Sequence, residues 1–142
     1  MISEHTIRRR VEFSETDMAG IVHFSQFFRY MEAAEHDLFR SMGTSVVTKL
    51  EDQHYGWPRV HAECDYLSPL KFEDEFDVRL RIDEVRSRSI VYAYEFVKVD
   101  GGKTVARGSM TTVCVQQQDD GTMCSVNIPT LIAGRLGPAA QS

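Results

Sequence analysis

The chain has 142 residues, 42% of them hydrophobic, enough for one core without a metal or disulfide staple, so a single domain over residues 1–142 is expected. A formal charge of −5 excludes broad binding to nucleic acid or to an anionic membrane, although a local basic cluster can still hold an anionic ligand. The three cysteines, Cys64, Cys114 and Cys124, are odd in number and form no CxxC pair, so neither a disulfide framework nor a zinc site is indicated, and reduced thiols point to the cytoplasm.

Met1 to Glu12 reads as an N-terminal strand region carrying Glu4, Arg8, Arg9 and Arg10. No apolar stretch follows those charges, so the segment lacks the form of a secretory signal, and no window approaches membrane-spanning length. From Ser25 onward, Phe27, Met31, Ala34 and Leu38 recur at helical spacing, with Arg29, Glu32, His36 and Arg40 on the other side. Ser25 offers an N-cap hydroxyl and Gly43 a left-handed stop, which bounds one amphipathic helix. Its large residues, Phe24, Phe27, Phe28, Met31 and Phe39, need cover on more than one side, and Glu32 and Glu35 read as a solvated helix face.

After Gly56 and Pro58, a strand-like run covers Val60 to Leu67, with His61, Glu63 and Asp65 on one face, directed to water or an interface. Phe76, Val78, Leu80 and Ile82 then alternate strictly with Asp77, Arg79, Arg81 and Asp83, the pattern of a half-buried strand. Ile90 to Val99 is β-branched and aromatic, and Asp100-Gly101-Gly102 supplies a tight hairpin before a returning strand over Thr104 to Gln116. A second turn at Asp119-Asp120-Gly121 leads to a short strand near Cys124 to Ile128 and a Pro/Gly-rich tail. There is no internal repeat. A strand, one long helix and a meander of strands constitute an α+β organisation, in which a curled antiparallel sheet can bury the helix.

Taken alone, Asp17 reads as an Asx-turn residue ahead of a helix. Its setting changes that reading. The segment Phe13-Ser-Glu15-Thr-Asp17-Met-Ala-Gly20-Ile-Val-His23-Phe24-Ser-Gln-Phe27 resembles the signature of the 4-hydroxybenzoyl-CoA thioesterase family. Gly56-x-Pro58 before a strand, the long alternating strand and the basic turn Arg86-Ser87-Arg88-Ser89 follow in the same order, so the resemblance covers nearly the whole chain. It implies a hot-dog fold, a sheet wrapped around one central helix, and a dimer or tetramer whose subunits pair sheet edge to sheet edge with active sites between protomers. It departs from the commonest motif at His23, where tyrosine or tryptophan is usual, and at Phe24, where tyrosine or histidine is usual.

The activity implied is hydrolysis of an acyl-coenzyme A, with Asp17 attacking the thioester carbonyl or taking a proton from water. Gly20 lets the backbone turn past the substrate, and the backbone N–H of Phe24 faces the developing oxyanion. Uncharged neighbours, Met18 to Val22, favour partial desolvation of Asp17. His23 either assists proton transfer or packs. By resemblance Arg86 and Arg88 grip coenzyme A, Ser89 adds a hydroxyl, and Phe27 and His61 contact substrate. No metal or separate cofactor is implied. Two alternatives stand beside this reading: hydrolysis of an acyl group carried on acyl carrier protein, and an acyl-binding module without turnover.

Overall fold

The computed structural model describes residues 1–140. Nine strands and two helices follow in chain order: β1 (Glu4–Arg10), α1 (Gln26–Ser41), β2 (Thr48–Leu50), β3 (Gln53–Gly56), β4 (Arg59–Tyr66), β5 (Glu75–Val85), β6 (Ser89–Lys98), β7 (Thr104–Val113), β8 (Val115–Gln117), β9 (Met123–Ser125) and α2 (Thr130–Ala133). A short 3-10 turn, Phe13–Glu15, lies between β1 and α1. The main sheet is antiparallel with order β1-β5-β6-β7-β4, and a smaller sheet has order β2-β3-β8-β9. This is the expected hot-dog arrangement, with α1 lying against β1, β5 and β4 of an unclosed sheet. No helix among the described residues is long and apolar enough to cross a membrane.

The patterns explain the core. Phe76, Val78, Leu80 and Ile82 are all buried, as their alternation requires, and they meet Tyr92, Tyr94 and Phe96 of β6 beneath Tyr30, Met31 and Leu38 of α1. Gly101 and Gly102 take φ of 88° and 68°, which is what the β6–β7 hairpin needs. At the helix end Gly43 has φ 78°, and the N–H groups of Gly43 and Thr44 donate to the carbonyls of Arg40 and Phe39. Gly108 on β7 is needed for a different reason. A Cβ there would lie 2.1 Å from Met31 Cε and 2.9 Å from the Glu63 carbonyl oxygen, so the helix closes on the sheet only over a residue without a side chain.

Four expectations are corrected. Ser25 stands at the N-cap but makes no capping bond; its Oγ lies 2.7 Å from His23 Nδ1 instead. Phe24 precedes the helix and is 64% exposed, because it leaves the sheet's cover before α1 begins. Glu35 is not on the solvated face: it is fully buried, and Arg59 Nη2 donates to its Oε1 at 2.5 Å. Finally, the strand expected through Gln116 breaks at Cys114, whose N–H donates to the Arg88 carbonyl while its own carbonyl accepts from Val126. That break starts the small sheet. Its β2–β3 hairpin turns through Glu51 and Asp52 at φ 49° and 63°.

Candidate active site

The segment between the 3-10 turn and α1 is anchored before it is functional. The buried carboxylate of Glu15 accepts from the Glu12 N–H at 2.9 Å, Gln26 Nε2 at 3.2 Å and the Tyr30 hydroxyl at 2.9 Å, and Arg9 Nη2 stands 3.8 Å away. The Glu15 carbonyl also accepts from the His23 N–H at 2.9 Å, so both ends of the intervening loop are tied to one residue. Burial together with the Glu15 bond drives the Tyr30 phenol far above its ordinary range, keeping it a donor.

Within that loop Asp17 closes a tight turn. Its N–H donates to the Ile21 carbonyl at 2.8 Å, its carbonyl accepts from Gly20 at 3.0 Å, and Gly20 takes φ 80°, a conformation that favours glycine. Asp17 Oδ1 accepts from the N–H groups of Ala19 at 2.8 Å and Ile21 at 3.4 Å. The Asx turn is therefore real, and it orients the carboxylate, which lies at the edge of a cleft. The far wall comes from the β4–β5 crossover: Val22 N–H donates to the Leu70 carbonyl, and Ile21 bridges Lys71.

The cleft, about 400 Å³, is lined by Asp17, Ile21, Phe24, Phe27, Tyr66 and Leu67 with Val22, Ser68, Pro69 and Leu70. Apart from Asp17 and Ser68, its walls are apolar or aromatic. A larger hollow of about 550 Å³ lies on the outer sheet face between Arg79, Arg81, Arg107, Glu4 and Glu95. The smaller cleft is the candidate site, because there a carboxylate, an apolar wall and a helix start converge, whereas the outer hollow is a solvated sheet face of mixed charge.

The backbone at the helix start supplies a donor. The N–H of Phe24 finds no acceptor among the described residues, while those of Val22, His23, Ser25 and Gln26 are all engaged. The Phe24 carbonyl accepts from the Tyr66 hydroxyl at 2.8 Å. His23 stacks on Phe24 with ring centroids 4.6 Å apart. Asp17, Phe24 and Phe27 are thus brought together at one cleft, with Gly20 in the turn beside it rather than in its lining and His23 turned toward Ser25 at its margin. In the single chain Met18, Ala19 and Gly20 are exposed, so they do not supply the expected desolvation of Asp17.

The other candidates lie elsewhere in the same chain. His61, on β4, is exposed and 3.5 Å from Glu63. Arg86 and Arg88 occupy the β5–β6 turn: Arg86 pairs with Glu84 at 2.9 Å, which raises its pKa, and Arg88 reaches Asn127 and Ser125 at 3.4 Å. Ser89 is buried beside them. The rows Arg59/Thr112/Ile90 and Tyr66/Ala106/Phe96 are six residues apart along β6, so Arg88 stands roughly 25 Å from the cleft end at the strand rise of about 3.3 Å per residue.

Sequence reasoning missed Glu15 as an anchor, Tyr66 as a cleft residue and the Arg59–Glu35 pair. Glu15 had a readable signal, because Glu12 and Glu15 form a capping box around the 3-10 turn. Tyr66 and Arg59 had none, since their partners lie 42 and 24 residues away.

Known proteins share this family and fold. Residues 11–136 match the family model described as the Thioesterase-like superfamily. An Aquifex aeolicus protein, named only provisionally as an esterase, is 39% identical over 93 residues, 66% of this chain and 72% of its own. The 1,4-dihydroxy-2-naphthoyl-CoA hydrolase of Synechocystis is 27% identical over 110 residues, 78% of this chain and 80% of the relative. The structure of 4-hydroxybenzoyl-CoA thioesterase from Pseudomonas superposes with a TM-score of 0.78 at 23% identity over 90% or more of both chains, a likeness of fold.

Proposed function

The chain belongs to the Thioesterase-like superfamily and is a thioester hydrolase, and from that premise we propose that it cleaves an acyl-coenzyme A at the Asp17 cleft. The observation that carries this reading is the meeting of the Asp17 carboxylate with the unengaged Phe24 N–H at one apolar cleft. Attack on the thioester carbonyl moves negative charge onto its oxygen, and a preorganised backbone donor there lowers the barrier by about 2.7–4 kcal/mol in other enzymes. Asp17 acts in one of two ways. As nucleophile it forms a mixed anhydride and expels the coenzyme A thiolate, and water then opens the anhydride; as base it takes the proton of a water that attacks directly.

The acyl group that suits these walls is apolar, and Phe24, Phe27 and Tyr66 favour an aromatic ring, in keeping with the naphthoyl substrate in the name of the Synechocystis relative. Arg86 and Arg88 reach this cleft only from a second copy. Antiparallel pairing of the free β4 edge about a two-fold axis sets the Tyr66 end of one strand beside the Arg59 end of the other. The β5–β6 turn belongs to that Arg59 end, so the arginines of one subunit approach the coenzyme A held by its neighbour.

The test is thiol release from aromatic, short aliphatic and long aliphatic acyl-CoAs by the parent and Asp17→Asn. The expected result is fastest turnover of an aromatic member, falling by about 10²–10⁴-fold in the variant. Retained turnover in Asp17→Asn removes Asp17 from the chemistry. Parent turnover only of acyl carrier protein thioesters moves the substrate, and tight binding with no thiol release makes the protein a binding module. Single turnover in ¹⁸O-water identifies the anhydride route in which water opens the anhydride at the Asp17 carbonyl carbon, because that opening alone leaves label in the Asp17 carboxylate.

A further inference from the structure

Phe24 lies one residue before the N-cap Ser25, so its carbonyl stands outside the hydrogen-bond ladder of the helix. Phe28 N–H donates to the Ser25 carbonyl at 3.3 Å, and the Phe24 carbonyl is taken by a side chain from the last residue of β4, the Tyr66 hydroxyl, at 2.8 Å. On the other side of Phe24, His23 N–H is fixed to the Glu15 carbonyl at 2.9 Å. The residue is therefore clamped before and after its own N–H, which has no partner among the described residues. The Tyr66 ring is held in turn by an edge contact with Phe27, ring centroids 5.3 Å apart at 75°.

We propose that Tyr66 is a positioning residue for the reaction, its hydroxyl holding the Phe24 carbonyl so that the Phe24 N–H stays aimed at the oxyanion position. The inference rests on the thioesterase reading above, and it assigns a role to a residue outside the motif. An oxyanion donor acts through its placement, since preorganisation spares the reaction the cost of turning a dipole into line as charge develops. The Ser25 N–H of the same peptide donates to His23 Nδ1 at 3.2 Å and the His23 carbonyl accepts from Gln26 N–H at 2.9 Å, both bonds within the segment, whereas the Tyr66 bond ties Phe24 to the sheet. Partial burial raises the Tyr66 phenol above its ordinary range, so it remains a donor to the carbonyl at any neutral or mildly alkaline pH. Because Tyr66 closes β4, the free edge of the sheet, the clamp also joins the edge strand to the site.

Tyr66→Phe keeps the ring against Phe27 and removes only the hydroxyl. Its kcat on the best acyl-CoA is expected to fall roughly tenfold, which corresponds to about 1.4 kcal/mol of transition-state stabilisation. KM should stay within about twofold and the melting temperature close to the parent's, because uniform binding and packing are untouched. Tyr66→Leu, which also removes the ring from the cleft wall, should raise KM as well. Hydrogen exchange over residues 22–28, read by mass spectrometry, should be faster in Tyr66→Phe and unchanged elsewhere. Parent-like kcat in Tyr66→Phe, with Asp17→Asn still inactive, overturns the role of Tyr66 and leaves the thioesterase reading standing. A parent without turnover overturns that reading instead; exchange then decides the clamp, faster exchange supporting it and unchanged exchange overturning it.

Discussion

Strands β6 and β4 belong to one sheet, two places apart, and could hardly be more different. Along β6 the inward residues Ile90, Tyr92, Tyr94 and Phe96 are fully or almost fully buried. Along β4 most residues are exposed on both faces, Val60 at 61% and Tyr66 at 47%, and only β7 pairs with it. The central strand holds the fold together, whereas the edge strand carries cleft residues and leaves backbone groups free. An exposed edge with apolar side chains invites pairing with another chain, so the contrast separates the part of the sheet that stabilises one subunit from the part open to a second.

The largest break in that comparison should come from the centre. Phe96 packs against Phe27 and Tyr30, with ring centroids 5.2 and 6.4 Å away, and Phe96→Ala should cost about 3–5 kcal/mol by denaturant unfolding. A smaller effect tests where centre and edge meet, at Glu35 of α1 and Arg59 of β4. Burial raises the Glu35 carboxyl from 4.5 to about 7, against the lowering influence of Arg59. Between those values the unfolded chain has released its proton and the folded chain has not, so the contribution of Glu35 to stability is fullest below pH 4.5 and declines as pH rises toward 7. Unfolding curves across this window should show that decline in the parent and a flatter profile in Glu35→Gln. The smallest effect on a single subunit should come from Val60→Asp, within about 0.5 kcal/mol because the site is exposed. The same change should lower the assembly mass in light scattering, and an unchanged mass would take the two-fold pairing away from β4.

Much of this could be read from the residues because the signals were local. The alternation from Phe76 to Asp83 dictated which face of β5 is buried, and Asp100-Gly101-Gly102 carried its turn chemistry openly. The Asp17 turn was equally visible, since both the Asx geometry and the Gly20 conformation depend on neighbouring residues. The β2–β3 hairpin escaped because Glu51 and Asp52 adopt positive φ without a glycine to announce it. Glu35 escaped because its helical position gives no hint that Arg59 answers it. The distance between Arg88 and Asp17 depends on topology, which periodicity does not encode, and the Tyr66 clamp joins residues with no sequence relation.

Gly108 links these regions mechanically. With Met31 Cε and the Glu63 carbonyl both inside the space a methyl group would occupy, the missing side chain sets the seating height of α1 on the sheet. Met31 can swing aside, but the Glu63 backbone belongs to β4 and moves only with its strand. A spacer at Gly108 would therefore act as a wedge at a pivot, tilting the helix at mid-length and prising β4 outward together. The gap between Phe24 at the helix start and Tyr66 at the strand end is thus gauged by a hydrogen atom near the centre of the sheet.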